Sequence, residues 1–147
     1  MKRLVWILLA ATACSSATKA PETAPARMTG AAAPRTAVEQ FLQAVRAEDL
    51  QAMGEIWGNA KGPARDQFER SELEKREIMM QGCFDHDKFR ILDEAPGEGG
   101  QRVYRVELTK QNVVATPRFY AIQGPAGRWY VSDAEITAAR DICRLKS

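Results

Sequence analysis

Residues 36–58 carry the pattern that most constrains the fold, because they predict two short amphipathic helices separated by a polar break at residues 47–49. Large apolar residues recur at helical spacing on both sides of the break: Val38, Phe41, Leu42, Val45, Leu50, Met53 and Trp57. Residues spaced in this way line one stripe of a helix. Two helices joined so closely cannot cover both stripes by themselves, so later strands must supply a surface.

The ends of these helices carry local signals. Thr36 and Glu39 have the spacing of a capping box, which predicts that the first helix begins at about Ala37. Asp49 is placed to cap the second helix. Gly58 is placed to end that helix in the left-handed conformation that glycine adopts readily.

A third helix is predicted over residues 72–81. A second capping box, Ser71 with Glu74, precedes it, and Gly82 is the expected stop. One face of this helix is only partly apolar and comprises Leu73, Glu77 and Met80.

The second half of the chain changes to the period of strands. Strands are predicted over residues 88–92, 102–110, 113–123 and 128–132, with glycine- and proline-rich turns between them. Pro117 requires a bulge or an edge position in the third of these. Short turns between successive strands favour an antiparallel meander. Helices followed by strands predict an α+β domain, with the N-terminal helices packed on the sheet.

The N-terminus has the pattern of an export signal. Lys2 and Arg3 precede an apolar run that is too short to span a bilayer. The segment ending at Cys14 resembles a bacterial lipobox, although Ala11 stands where leucine is preferred. Residues 1–13 are therefore expected to be a lipoprotein signal peptide, and Cys14 to be the acylated first residue of the mature chain. The alternative is an ordinary signal peptide followed by an incidental cysteine.

The mature chain is expected to be anchored in the cell envelope. Ser15, rather than aspartate, follows the cysteine, and this suggests the outer membrane facing the periplasm. Residues 14–35 are rich in Ala, Pro, Ser and Thr, which predicts a disordered tether, and residues 36–147 are the expected domain. The whole chain has 21 Lys and Arg against 19 Asp and Glu, so loss of Lys2 and Arg3 leaves it formally neutral. Nucleic acid is therefore not an expected partner.

Two stretches, TAVEQFLQAVRAEDLQAMGEIWG at residues 36–58 and RFYAIQGPAGRWYVSDAEI at residues 118–136, resemble the NTF2-like (SnoaL, cystatin-like) superfamily. The resemblance covers residues 36–136 and implies a curved sheet that wraps a helix into a cone. The open end of such a cone holds a ligand in some members, and many members have no catalytic activity. Fold alone therefore leaves the function open.

Cys83 and Cys143 are the two cysteines that remain once Cys14 is acylated. Outside the cytoplasm, where disulfides form and persist, we expect them to pair. Two free buried thiols are the alternative.

The sequence holds few residues that indicate catalysis. Asp85, His86 and Asp87 suggest acid–base or metal chemistry. Neighbours in a strand point to opposite faces, however, so a solvated or capping role at the start of a strand is favoured. No metal site, cofactor or catalytic triad is predicted, and no metal-binding, nucleotide-binding or nucleophile motif occurs.

Five residues are the predicted candidates for a pocket lining: Trp57, Tyr104, Arg118, Tyr120 and Trp129. A plain core role is the alternative for the aromatic ones. The favoured function is a non-catalytic envelope module that binds a small apolar ligand or an envelope protein. The alternative is an isomerase or dehydratase inside the cone, which would require a buried Asp93, Glu107 or His86 beside Tyr104 or Tyr120.

Overall fold

The computed structural model describes residues 28–146. The predicted signal peptide, Cys14 and most of the predicted tether lie outside the described residues. In the part that is described, no helix is both long enough and apolar enough to cross a bilayer. The helices are α1 (Pro34–Arg46), α2 (Leu50–Ile56), α3 (Arg70–Phe84) and α4 (Arg140–Cys143). The strands are β1 (Gly58–Asn59), β2 (Gly62–Pro63), β3 (Lys88–Pro96), β4 (Arg102–Lys110), β5 (Val113–Ala115), β6 (Arg118–Gln123) and β7 (Trp129–Ala134).

The main sheet has five antiparallel strands in the order β3–β4–β6–β7, with β5 paired to the end of β4. β5 and β6 lie along the same edge of β4 and are separated by Thr116 and Pro117, where the amide of Val106 still donates to the Pro117 carbonyl. The predicted third strand is thus interrupted at Pro117, because proline has no N–H for the ladder. The predicted α+β class, with N-terminal helices on an antiparallel sheet, is confirmed.

The stripe of α1 is the centre of the core. Phe41, Leu42 and Val45 are fully buried against the inner face of the sheet. Phe119 of β6 packs against two other core rings. Its ring centroid lies 6.1 Å from that of Phe41 and 5.0 Å from that of Phe84. The spacing read from the sequence therefore identifies the buried face correctly.

Helix α1 begins at Pro34, three residues before the predicted start. Proline suits the first turn of a helix because its missing N–H has no partner there in any case. The capping box predicted from Thr36 and Glu39 is therefore wrong: both lie inside the helix, and Glu39 instead accepts a hydrogen bond from Nε of Arg35 at 2.9 Å.

The domain also begins earlier than the predicted residue 36. Ala31 is buried and exchanges two backbone hydrogen bonds of 2.8 Å with Trp129. The Gly30 amide donates to the Glu55 carbonyl at 3.0 Å. The end of the predicted tether therefore pairs with β7 like a short extra strand. The composition of the tether did not predict this pairing.

For helix α2, the predicted N-terminal cap is confirmed and the predicted C-terminal stop is wrong. Oδ1 of Asp49 accepts a hydrogen bond from the Ala52 amide at 2.9 Å, as an N-cap should. Gly58, however, does not form a left-handed stop, because the helix ends at Ile56 and Gly58 pairs with Pro63. Glycine is needed there for space: a Cβ on Gly58 would lie 2.2 Å from the Gly62 carbonyl oxygen.

Helix α3 is longer than predicted at both ends. Its N-cap is Glu69, without a side-chain cap, so the predicted capping box of Ser71 and Glu74 is wrong. The helix also continues through Gly82, because the burial of Cys83 and Phe84 extends it. Cys83 is joined to Cys143 by a disulfide, which confirms the predicted pair and ties α4 to the end of α3.

Candidate functional site

A groove of about 290 Å³ lies between α1, α3 and β7. Its walls are mainly apolar and aromatic, as in most small-molecule sites. The lining comprises Phe41, Trp57, Arg76, Met79, Met80, Phe84, Val131, Ser132, Asp133, Ala134 and Ile136. Its volume is near the lower end of ligand pockets, about 300 to 1,000 Å³, so it suits a small ligand.

The rigid part of the groove is formed by residues that also belong to the core. Phe41 and Phe84 pack on Phe119 from α1 and α3, and Val131 lies on the same face of the neighbouring strand. These side chains are packed on every side, because Phe41 and Phe84 expose none of their surface and Val131 exposes 1%. They form a rigid base beneath the groove, and the accessible surface of the groove belongs to neighbouring side chains such as Trp57 and Met79.

The rim on the α3 side is a stack of three side chains. The rings of Trp57 and Phe68 are parallel, with centroids 5.6 Å apart, and the Arg76 guanidinium lies 4.9 Å from the centroid of Phe68. Arg76 also donates from Nε to Glu72 at 2.8 Å. Such cation–π contacts are favourable, so this stack keeps Trp57 and Arg76 in place at the groove.

The titratable side chains of the lining, Arg76 and Asp133, are both exposed. Asp133 follows the register shift of β7, and its Oδ1 accepts a hydrogen bond from the Ala134 amide at 2.8 Å. Neither side chain is in the buried surroundings that are typical of a catalytic acid or base. The groove is therefore equipped to hold an apolar molecule and to orient its polar end.

Of the five predicted lining residues, only Trp57 lines this groove. Tyr104 is fully buried on the inner face of β4, and Trp129 is half-buried beside Ala31. Arg118 and Tyr120 flank the buried Phe119 and therefore lie on the opposite, outer face of the sheet. The structure does not bring the five side chains to one place.

No protein-family profile matches this chain, and no curated protein matches it. One solved structure that resembles it is an NTF2-like protein of unknown function from Cytophaga hutchinsonii. The two chains are 11% identical, the match covers 69% of this chain and 86% of the other, and the TM-score is 0.41. A similarity this low identifies neither a ligand nor an activity.

The Tyr104 hydroxyl is buried and makes no hydrogen bond of acceptable geometry within the described residues. Burial, reinforced by the nearby Glu94 carboxylate, raises its pKa to about 12. Glu94 is itself paired with Arg102, whose Nε donates to it at 2.8 Å. The carboxylates named above as catalytic partners lie elsewhere: Asp93 pairs with Arg105, and Glu107 with Arg90.

The segment Asp85–His86–Asp87 differs from the predicted solvated loop. His86 is fully buried, and its Nδ1 donates to the Phe84 carbonyl at 2.8 Å. Burial lowers the pKa of His86, an effect only partly opposed by that hydrogen bond, so the ring is neutral. Asp85 is also buried and pairs with Nζ of Lys110 at 3.1 Å, whereas Asp87 is exposed and accepts from the Gln111 amide at 2.7 Å. Tertiary packing of the α3 end removes Asp85 and His86 from solvent but leaves Asp87 exposed, as predicted for that residue.

The described residues contain no group of three or more His, Cys, Asp or Glu side chains that could hold a metal ion. Sequence reasoning missed the groove residues of α3, namely Arg76, Met79 and Phe84. The available sequence signal was Met79 itself, an apolar residue outside the predicted face of Leu73, Glu77 and Met80, and the structure leaves it half-exposed.

Proposed function

We propose that this chain is a lipid-anchored, non-catalytic binding domain of the bacterial cell envelope with an NTF2-like fold, and that it takes a small apolar ligand in the groove between α1, α3 and β7. The observation that carries the binding role is the mainly apolar groove, where the partly exposed Trp57 and Met79 lie over a packed aromatic base. Apolar walls with one or two orienting polar groups are what a binding site needs. An isomerase or dehydratase would require a buried titratable group among the lining side chains, and Arg76 and Asp133 are exposed.

The ligand is small and has an apolar body. About 290 Å³ leaves room for one or two rings or a short alkyl chain. Arg76 and Asp133 at the rim offer a donor and an acceptor to a polar end. Met79 is 49% exposed, and its flexible side chain can fold over a bound molecule.

Binding is tested with the neutral two-ring fluorescent probe 1-naphthylamine and the chain from residue 15 onward, which contains every described residue. We expect saturable binding and loss of about tenfold in affinity, about 1.4 kcal/mol, for Met79→Glu, which puts a charge at the groove. Ile78→Glu is the matched control, because Ile78 is the exposed neighbour, 54% accessible, and is not part of the lining. Equal effects of both variants, or no saturable binding, would overturn the role of the groove.

The anchor is supported by the sequence ending at Cys14 and by Ser15 after it. Metabolic labelling with a radioactive fatty acid should mark the full-length protein, and Cys14→Ser should abolish the label. Unlabelled protein, or label that persists in the variant, contradicts the anchor without affecting the binding proposal. Fractionation of the two bacterial membranes then tests the expected outer-membrane location.

A further inference from the structure

A second cleft, of about 480 Å³, lies between α2 and α3 and is separate from the groove above. Its lining is Leu50, Gln51, Gly54, Arg65, Arg70, Leu73, Glu74 and Glu77. Glu77 is 3% exposed, although it lies in the middle of a helix whose neighbouring positions Lys75 and Arg76 are exposed. A carboxyl group at such a position needs a partner, because burying it alone is costly.

The Glu77 carboxyl lies against Gly54 of α2. A Cβ on Gly54 would lie 2.6 Å from Oε1 of Glu77, so a larger residue there would displace the end of the Glu77 side chain. Oε1 nevertheless makes no hydrogen bond within the part of the chain that the structure describes. Glu77 is therefore a buried acceptor, in the wall of a cleft, without a donor.

The charges around the cleft do not supply that donor. Arg65 is engaged by Glu55, with Nη1 and Oε1 2.7 Å apart, and by Asp66, with Nε and Oδ1 3.6 Å apart. Arg70 also lines the cleft but does not bond to Glu77. Glu74 adds a second carboxylate one turn before Glu77. With Glu77 ionised, the two arginines and two glutamates of the lining balance, but Arg65 is already paired outside the cleft with Glu55 and so does not neutralise Glu77.

We infer that the cleft between α2 and α3 binds a small organic cation, a primary alkylammonium, whose N–H groups reach the Glu77 carboxylate and whose alkyl body lies on Leu50 and Leu73. The cleft is far larger than a bare metal ion needs, and its apolar side chains suit a short alkyl chain. An ammonium group offers three donors and a positive charge to a buried acceptor that has neither. This site is independent of the proposed groove.

Binding is linked to protons at Glu77. Burial, with a smaller contribution from the Glu74 carboxylate, raises the pKa of Glu77 to about 7. The ammonium pairs with the ionised carboxylate, so a bound proton must leave to solvent first. Affinity should therefore rise as the pH increases through about 7 and then level off.

The probe is n-butylammonium, with n-butanol and butyrate as the uncharged and anionic counterparts, added to the chain from residue 15 onward. The Gly54 amide and the side-chain carbon of Glu77 are observed by NMR. We expect n-butylammonium to bind about tenfold more tightly at about pH 8 than at about pH 6, as the ionised fraction of one group of pKa about 7 predicts. Glu77→Gln should weaken binding about tenfold and remove the pH dependence.

Glu74→Gln is the matched control, because it removes one charge from the same cleft but leaves the buried carboxyl, and it should retain the pH dependence. If Glu77→Gln fails to fold, the pH dependence of n-butylammonium binding to the wild type still tests the proposal. Preferential binding of butyrate, equal binding of n-butanol, or an affinity that does not change with pH would each overturn the proposal.

Discussion

Cys83 at the end of α3 and Cys143 in α4 lie with their Cα atoms 4.0 Å apart, although 60 positions separate them in the chain. The disulfide between them closes about half of the described residues, 83–143, into a loop. It also fixes the short α4 and the buried Ile142 against the sheet. The last turn of the domain depends on this connection.

Reduction of the disulfide should lower the free energy of unfolding by about 4 kcal/mol, the loop-entropy value for 60 residues. Urea unfolding with and without reductant measures it. A Cys83→Ala, Cys143→Ala double variant should unfold at the reduced midpoint and show no response to reductant. Identical midpoints for the oxidised and reduced wild type would contradict the prediction.

Two glycines should respond in opposite ways to alanine. Gly58→Ala forces a Cβ to 2.2 Å from the Gly62 carbonyl oxygen, and we expect it to cost about 1 to 3 kcal/mol or more. Gly82→Ala lies inside α3 with nothing within 4 Å of the new Cβ, so it should stabilise by about 0.5 to 1 kcal/mol. Thermal unfolding of the two variants measures whether each is less or more stable than the wild type. Unchanged stability of Gly58→Ala would contradict the close approach of position 58 to the Gly62 carbonyl oxygen.

The stability of the domain should depend on pH through Glu77. Its pKa is raised from 4.5 to about 7, so the folded state holds a proton that the unfolded state has lost. The free energy of unfolding should therefore fall as pH rises from about 4.5 to about 7, by at most about 1.4 kcal/mol per pH unit. Glu77→Gln should flatten this slope in urea titrations at several pH values, whereas Glu74→Gln should leave most of it.

Tyr104→Phe tests the buried hydroxyl. Because this hydroxyl has no hydrogen bond of acceptable geometry, its removal should be neutral or should stabilise the protein by up to about 1 kcal/mol. The nearby Glu94 raises the pKa of Tyr104 but is held by Arg102. A loss of about 1 kcal/mol or more on urea unfolding would show that the hydroxyl donates to Glu94 instead.

Local patterns in the sequence predicted the parts of this fold that local forces determine. The stripe of α1, the Asp49 cap and the alternation of β4 all follow from spacing within a few residues. The start of α1 and the end of α3 were missed because Pro34 and the burial of Phe84 outweigh the local signals inside these helices, whereas the break after α1 was predicted correctly.

The candidate sites were harder to predict because they join residues from distant parts of the chain. The groove brings Phe41, Trp57 and Phe84 to β7, and no spacing in the sequence specifies that meeting. The role of Glu77 depends on Gly54 of another helix. The sequence shows that Glu77 lies on a partly apolar helix face. It does not show that Oε1 of Glu77 has no hydrogen-bond partner among the described residues.

The two edges of the main sheet are closed to further strands. β3 presents exposed Lys88, Arg90, Asp93 and Glu94 and has a register shift after Ile91, while the far side of β7 is already met by Ala31 and Trp57. Charged and interrupted edges resist edge-to-edge pairing. Copies that meet at high concentration would therefore be kept from extending one another's sheets into fibrils.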